Sequence, residues 1–159
     1  MDFKIRKAIT DDKSQIENIA FRAYQKYIDV IGAKPAPMIA NFSNHLKNDC
    51  IFVIEDVQKH QIVGYAVIII KDNEYWLENI AVEPAKSNQG IGTQLINYVE
   101  DYISKSASDY QLYTNIKMYQ NVEWYKRIGF TELKRTEVEG FERVYFIKKL
   151  KSLIDKTDC

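Results

Sequence analysis

The stretch Leu77–Leu95, LENIAVEPAKSNQGIGTQL, contains the local pattern that decides the fold. Its apolar start, LENIAV, has the composition of a strand, and Pro84 follows it in a loop. A helix then begins beside Gly90 and Gly92. The first N–H groups of a helix lack intrahelical acceptors and carry partial positive charge, and glycines let a phosphate approach them. This succession predicts a pyrophosphate site, although a glycine pair alone also occurs for purely conformational reasons.

Two better-known phosphate motifs do not fit this stretch. A dinucleotide-binding fingerprint, GxGxxG, needs glycine or alanine at the position that Leu95 occupies. A Walker loop needs a Gly-Lys dipeptide followed by Ser or Thr, and the sequence contains no Gly-Lys dipeptide. The predicted phosphate site therefore belongs to a different class of protein.

The rest of the chain alternates between strand and helix patterns. Strands are predicted at residues 3–9, 50–55, 61–71, 74–82, 110–114, 130–137 and 141–149. Helices are predicted after Thr10 as N-cap, around 39–47, after Gly90 and at about 119–128. The helix after Gly90 has one apolar face at helical spacing, made of Ile91, Leu95, Tyr98, Val99, Tyr102 and Ile103.

This element order, β-α-α-β-β-β-α-β-α-β-β, predicts a mixed α/β fold. Its N-terminal strands are antiparallel, and one parallel β-α-β crossover lies at the glycine-bearing helix. The last strand contains FERVYFI, which is apolar on both faces, so we expect it inside the sheet. A doubly wound fold is disfavoured because the strands between residues 50 and 82 have no intervening helix.

Composition narrows the function classes. The 159 residues, 46% of them hydrophobic, suit a single domain over 1–159. Lys+Arg and Asp+Glu are 22 each, which argues against a nucleic-acid partner. The longest apolar run, residues 62–70, is too short to cross a membrane, and the first residues lack a signal-peptide core. Cys50 and Cys159 form no disulfide or metal pattern, so we expect a cytoplasmic protein without a bound metal.

The combined motifs resemble the GNAT family of N-acetyltransferases, in its small single-domain bacterial form. Motif A of that family is a strand ending in Val, a Pro, and then Q/R-x-x-G-x-G/A at a helix start. Here Pro84, Gly90 and Gly92 match, whereas Ser87 replaces the usual Gln or Arg. Motif B ends in Tyr, a helical turn and Gly-Phe, which matches Tyr125 and Gly129-Phe130. The resemblance covers nearly the whole chain and implies the GNAT acyl-CoA N-acyltransferase fold.

The resemblance implies that acetyl-CoA is the cosubstrate. The pyrophosphate then binds the loop Ser87, Asn88, Gln89, Gly90, Ile91, Gly92 and Thr93. The strand residues Ile80, Ala81 and Val82 lie beside the thioester, where a backbone N–H stabilises the oxyanion. Tyr125 occupies the position of the general acid. A phenol with a pKa near 10 can protonate a thiolate whose conjugate thiol has a pKa near 8.5.

Two further residues are candidates with open alternatives. Glu78 is a carboxylate in an otherwise apolar strand, on the same face as Ile80 and Val82. It is a candidate general base, a solvated strand residue or a ligand for a substrate cation. Asn121 lies one helical turn before Tyr125 and is either a pantetheine ligand or an ordinary polar surface residue.

The predicted function is direct acetyl transfer from acetyl-CoA to a primary amine. The alternative is a non-catalytic acyl-CoA-binding or interaction module on the same fold, which Ser87 in the Gln/Arg slot would favour. The acceptor is a small molecule or a peptide amine, and homodimer formation is left open. The resemblance places one wall of the acceptor pocket on the first helices and the loop around Pro35–Met38.

Overall fold

A computed structural model describes residues 2–151. The strands form a seven-stranded sheet in the order β1-β2-β3-β4-β5-β7-β6. They are β1 (Phe3–Lys7), β2 (Cys50–Asp56), β3 (Gln61–Lys71), β4 (Glu74–Val82), β5 (Asp109–Asn115), β6 (Thr131–Val138) and β7 (Phe141–Lys149). The helices are α1 (Lys13–Tyr24), α2 (Ile28–Ile31), α3 (Phe42–Asn48), α4 (Ile91–Ser104) and α5 (Tyr119–Arg127). The predicted mixed α/β fold and the internal position of β7 are confirmed.

The described residues fall into two compact units. Unit 1 runs to Ile69 and takes in Glu78–Val99, and unit 2 takes in Ile70–Leu77 and the chain from Glu100 onward. The strand β4 contributes residues to both units, because its sequence crosses from one to the other at Glu78. The single domain over 1–159 stays a prediction.

Unit 1 is built on antiparallel pairing around β2. Phe3 pairs with Asp56 and Lys7 with Phe52, so β1 lies antiparallel to β2. On the other side of β2, Cys50 pairs with Ile68 in β3, again antiparallel. Residues 62–68 of β3 are all buried, which is the burial expected for a strand covered on both faces.

Unit 2 is built around β5. Its Gln111 pairs in parallel with Trp76 of β4, and its other edge pairs antiparallel with β7 from Asp109–Lys149 to Asn115–Arg143. The outer strand β6 pairs antiparallel with β7. The buried hydrophobic residues of this unit include Tyr110, Leu112, Val122, Tyr125, Phe130, Val144 and Phe146. This arrangement agrees with the predicted single parallel connection followed by a closing hairpin.

The start of α1 differs from the sequence prediction. Thr10 is not the N-cap, because residues Thr10–Asp12 form a 3-10 turn before the α-helix begins. The Asp12 carboxylate instead accepts the Ile9 N–H at 2.8 Å and pairs with Arg6 at 2.8 Å. Burial acts to raise the pKa of Asp12, but the hydrogen bonds from Arg6 and Ile9 outweigh it and hold the pKa below its usual value.

The buried face of α4 also differs from the predicted one, because it is turned slightly around the helix axis. Tyr98 and Tyr102 are 39% and 37% exposed, whereas Ile96, which the predicted face omitted, is 2% exposed. Tyrosine has an apolar ring with a polar end, so it can stand at the border of a buried face. The Tyr98 ring packs edge-on against Phe52 with 4.9 Å between ring centroids.

Gly64 lets β3 approach β4 and α4 closely within unit 1. A Cβ atom at this position would lie 3.0 Å from Ile54 Cγ2, 3.1 Å from the Ala81 carbonyl oxygen and 3.1 Å from Leu95 Cδ1. One of these neighbours is backbone, which cannot rotate away. The absence of a side chain at Gly64 therefore sets the position of Ala81 and of the helix that carries Leu95.

We expect Gly64→Ala to destabilise the protein by roughly 1–3 kcal/mol, because the added methyl overpacks this contact. Urea unfolding followed by circular dichroism measures the change. A variant as stable as the original chain would show that β4 and α4 can move apart without loss, and would contradict this interpretation of Gly64.

Candidate functional site

The segment that leaves β4 makes a tight turn before the loop. Residues Pro84–Lys86 form a 3-10 turn, in which the Lys86 N–H donates to the Glu83 carbonyl at 2.8 Å. The Ser87 N–H donates to the Pro84 carbonyl at 3.2 Å, and Ser87 itself is extended. These local bonds satisfy the turn's backbone and direct the chain toward the start of α4.

The loop then enters α4 through two left-handed residues. Asn88 has φ 64° and Gly90 has φ 78°, a region that asparagine and glycine tolerate best. The helix begins at Ile91, and the Gln94 N–H donates to the Gly90 carbonyl at 3.0 Å. The N–H groups of residues 91–93 precede this bond, so α-helical geometry gives them no intrahelical acceptor. Together with the helix dipole, they form a site suited to an anion.

The end of β4 is held by hydrogen bonds from two other elements of unit 1. The Tyr24 hydroxyl of α1 donates to the Ile80 carbonyl at 2.5 Å, and the Glu83 N–H donates to the Val63 carbonyl at 2.8 Å. Ile80 and Ala81 are 5% and 7% exposed. The Ile80 carbonyl of the predicted oxyanion strand is therefore held by α1, and the residue that follows the strand is held to β3.

Glu78 and Asn79 differ in their surroundings. Glu78 is half-buried, whereas Asn79 is buried and its side-chain oxygen accepts the Tyr65 hydroxyl at 2.8 Å. Asn79 thus fixes the strand next to the candidate base. Asn79 was not among the predicted site residues, although a polar residue inside the apolar run LENIAV is a usable signal.

Tyr125 and Asn121 lie in unit 2, on α5. Tyr125 is 6% exposed, and its ring lies 5.7 Å from that of Phe130 and 6.1 Å from that of Phe146, between centroids. The Phe130 N–H donates to the Tyr125 carbonyl at 3.0 Å, which closes the end of the helix. Asn121 is half-buried, one turn earlier. The packing orients the Tyr125 ring, and its role as an acid stays a prediction.

Unit 2, which contains Tyr125, also contains a hydrogen-bonded cluster of Glu100, Tyr110 and Lys148. The Tyr110 hydroxyl donates to Glu100 at 2.6 Å, and Lys148 pairs with that carboxylate at 2.8 Å. Burial first, and the Glu100 charge second, raise the pKa of Tyr110 well above its usual value. Tyr110 therefore stays protonated and serves as a hydrogen-bond donor within the core.

The predicted residues thus divide between the units. Unit 1 brings together Glu78, the strand Ile80–Val82 and the loop Ser87–Thr93, and unit 2 carries Asn121 and Tyr125.

Within residues 2–151, no group of three or more His, Cys, Asp or Glu side chains is arranged to hold a metal ion. None of the helices in this range is long and apolar enough to cross a membrane.

The site combines a glycine-bearing helix start with the sheet strand that precedes it, on a seven-stranded mixed sheet. Residues 47–132, more than half of the chain, match the family described as the Acetyltransferase (GNAT) domain. The chain belongs to the GNAT acetyltransferase family. The predicted family and fold are confirmed.

Solved structures have the same fold. The ribosomal-protein-S18-alanine N-acetyltransferase from Escherichia coli is 19% identical, with a TM-score of 0.73 over 94% of this chain and 95% of its own. The PaiA N-acetyltransferase from Thermoplasma acidophilum, solved with coenzyme A, is 16% identical, with a TM-score of 0.74 over 94% and 99%. A Bacillus anthracis protein described as a streptothricin acetyltransferase, solved with acetyl coenzyme A, is 17% identical, with a TM-score of 0.69 over 95% and 100%. Among curated proteins, none matches this sequence.

We expect Tyr24→Phe to lower the free energy of unfolding by about 1 kcal/mol or more, because the Ile80 carbonyl loses its hydroxyl donor in a buried setting. Urea unfolding measures the change. Tyr119→Phe is the matched control, since Tyr119 is 63% exposed. Equal stability of the two variants would contradict the structural role of the Tyr24 hydroxyl.

Proposed function

We propose that the protein transfers the acetyl group of acetyl-CoA to a primary amine. The observation that carries this proposal is the anion site at the start of α4, next to the end of β4 in the same unit. Family membership supports acyl transfer, and structures of this fold bound to coenzyme A or acetyl coenzyme A support the donor. Donor and acceptor held side by side gain much of their rate from positioning.

The loop Ser87–Thr93 binds the pyrophosphate through its backbone N–H groups. Residues Ile80–Val82 align the thioester, and a backbone N–H of this strand stabilises the oxyanion when the amine nitrogen attacks the carbonyl carbon. Asn121 hydrogen-bonds the pantetheine arm. As the C–S bond breaks, Tyr125 donates its proton to the departing thiolate, and the products are the amide and coenzyme A.

Glu78 accepts the proton that the amine loses, directly or through water. This role requires the amine to become neutral before or during attack. In the same proposal, the protein is a cytoplasmic single domain that uses no metal and acts on a small-molecule or peptide amine. It requires no nucleic acid or membrane, and a homodimer is compatible with it.

A second candidate function is acyl-CoA binding without turnover. The observation that favours it is Ser87, which stands where the family has Gln or Arg, so one side-chain contact to the pyrophosphate is missing. The backbone N–H groups of the loop do not depend on that side chain. Acyl transfer therefore remains the function that the site supports better.

A panel of amines separates the two functions. The protein is mixed with acetyl-CoA and with small amines, amino sugars, amino acids and peptides, and coenzyme A release is measured. Turnover with one class of amine supports transfer. Saturable acetyl-CoA binding without release across the panel supports the binding module, and the absence of binding contradicts both.

We expect Gly92→Val to abolish detectable coenzyme A binding in a calorimetric titration. Gly92 is half-buried in the first turn of α4, where a branched side chain would occupy the place of the pyrophosphate. Asn97→Val is the matched control, because Asn97 is exposed on the same helix. Unchanged affinity in the Gly92 variant would place the pyrophosphate elsewhere.

We expect Tyr125→Phe to lower kcat by about 10²–10⁴-fold and to leave acetyl-CoA affinity nearly unchanged, because the ring is kept and only the acidic proton is lost. Steady-state kinetics with the best amine of the panel provide the measurement, and Tyr119→Phe on the same helix is the control. A loss confined to KM would make Tyr125 a binding residue, and full activity would contradict the acid role.

A further inference from the structure

A cavity of about 390 Å³ lies in unit 1, outside the residues assigned above. Its walls come from α1, from the first residues of β3, and from the turn that precedes the loop Ser87–Thr93. The volume falls in the range of small-molecule sites, about 300–1,000 Å³. The polar side chains that line it are Gln15, Asn18, Arg22, Gln61, Glu83 and Lys86.

Two side-chain acceptors of this cavity are already used within the protein. The Gln15 side-chain oxygen accepts the Ile62 N–H at 2.9 Å, which leaves the Gln15 amide N–H groups as donors. Both carboxylate oxygens of Glu83 accept from Arg22, at 2.9 Å from Nε and 2.6 Å from Nη2. Two lining acceptors are thus consumed within the protein.

Several donors of the cavity have no partner among the described residues. Arg22 and Glu83 neutralise each other, whereas Lys86 is half-buried and, in residues 2–151, forms no ion pair. Asn18 and Gln61 are exposed, and their side-chain amides form no hydrogen bond with other residues in that range, so their N–H groups can donate to a ligand. The cavity therefore combines one uncompensated positive charge with several amide donors, which is the chemistry that recognises an anion.

We propose that this cavity binds a phosphate group, held by the Lys86 ammonium and the side-chain amides of Gln15, Asn18 and Gln61. The group has two sources. It is carried by a free small molecule, or it is a phosphate of coenzyme A itself, because Ala85 and Lys86 immediately precede Ser87 in the chain. The second source rests on the proposed function, and the first does not.

Inorganic phosphate is the first probe. We expect a saturable rise in Tm when the full chain is titrated with phosphate at constant ionic strength, because a ligand that binds the folded state stabilises it. Lys86→Gln should weaken phosphate binding by about tenfold or more. Lys59→Gln, at an exposed turn outside the cavity, is the control and should leave the titration unchanged.

A second variant tests the same cavity without removing Lys86. Asn18→Asp introduces a carboxylate among the donors and should weaken phosphate binding at least as much, since like charges repel. Asn97→Asp, an exposed helical position on α4, is the matched control. No saturable phosphate effect in the original chain, or the same effect in Lys86→Gln and Asn18→Asp, would overturn the proposal.

Coenzyme A and 3′-dephospho-coenzyme A distinguish the two sources. If Lys86→Gln weakens binding of coenzyme A but not of the dephospho form, the coenzyme supplies the phosphate. If neither affinity changes while phosphate binding is lost, a free anion is the ligand. Failure of coenzyme A to bind the original chain would contradict the proposed function, yet the phosphate titration would still test the cavity.

Discussion

The close contact of β3 with β4 and α4 at Gly64 is the constraint on which the site of unit 1 depends. Leu95 is 0% exposed and lies against the bare backbone of Gly64, and the same glycine faces the Ala81 carbonyl. This contact fixes where α4 begins in relation to the end of β4. The hydrogen bonds to Ile80 and from Glu83 then hold the strand end at that position. The relative position of these two elements matters in the proposed function, because the start of α4 binds the pyrophosphate while the end of β4 aligns the thioester of the same molecule.

The bounds of secondary-structure elements could be predicted from the sequence where the local pattern of apolar and polar residues is strong. Strands β3 and β4 have the predicted bounds, because each is an apolar run that ends at polar turn residues. Between them, Asp72 and Asn73 both have positive φ, which short polar side chains tolerate in a hairpin. The prediction was wrong at the start of α1, where Thr10 and Asp12 are both residue types that can cap a helix. Asp12, not Thr10, caps the N-terminal turn, because Arg6 holds its carboxylate in place.

Contacts between distant parts of the chain could not be predicted in this way. The Tyr24 hydroxyl bonds to a carbonyl in a different element, and the spacing of apolar residues along α1 does not indicate this partner. The Arg22–Glu83 pair likewise joins α1 to the residue before Pro84. A periodic pattern tells which side of a helix is buried, but it does not tell which backbone group lies opposite. Which polar groups of the cavity remain available to a ligand depends on these partners, so it can be read only from the three-dimensional structure.

The site also explains how such distant sequences share one fold. The anion site at α4 is made of backbone N–H groups, and in the proposed function the strand Ile80–Val82 also acts through its backbone, so both need a particular path of the chain more than particular side chains. Sequence identities of 16–19% to solved acetyltransferases are compatible with that demand. For the same reason, the proposed pyrophosphate site can do without the Gln or Arg that Ser87 replaces, because its backbone donors do not depend on that side chain. Recognition of the acceptor amine depends instead on side chains. Side chains are free to differ from one family member to another, so the choice of acceptor can change while the path of the backbone stays the same.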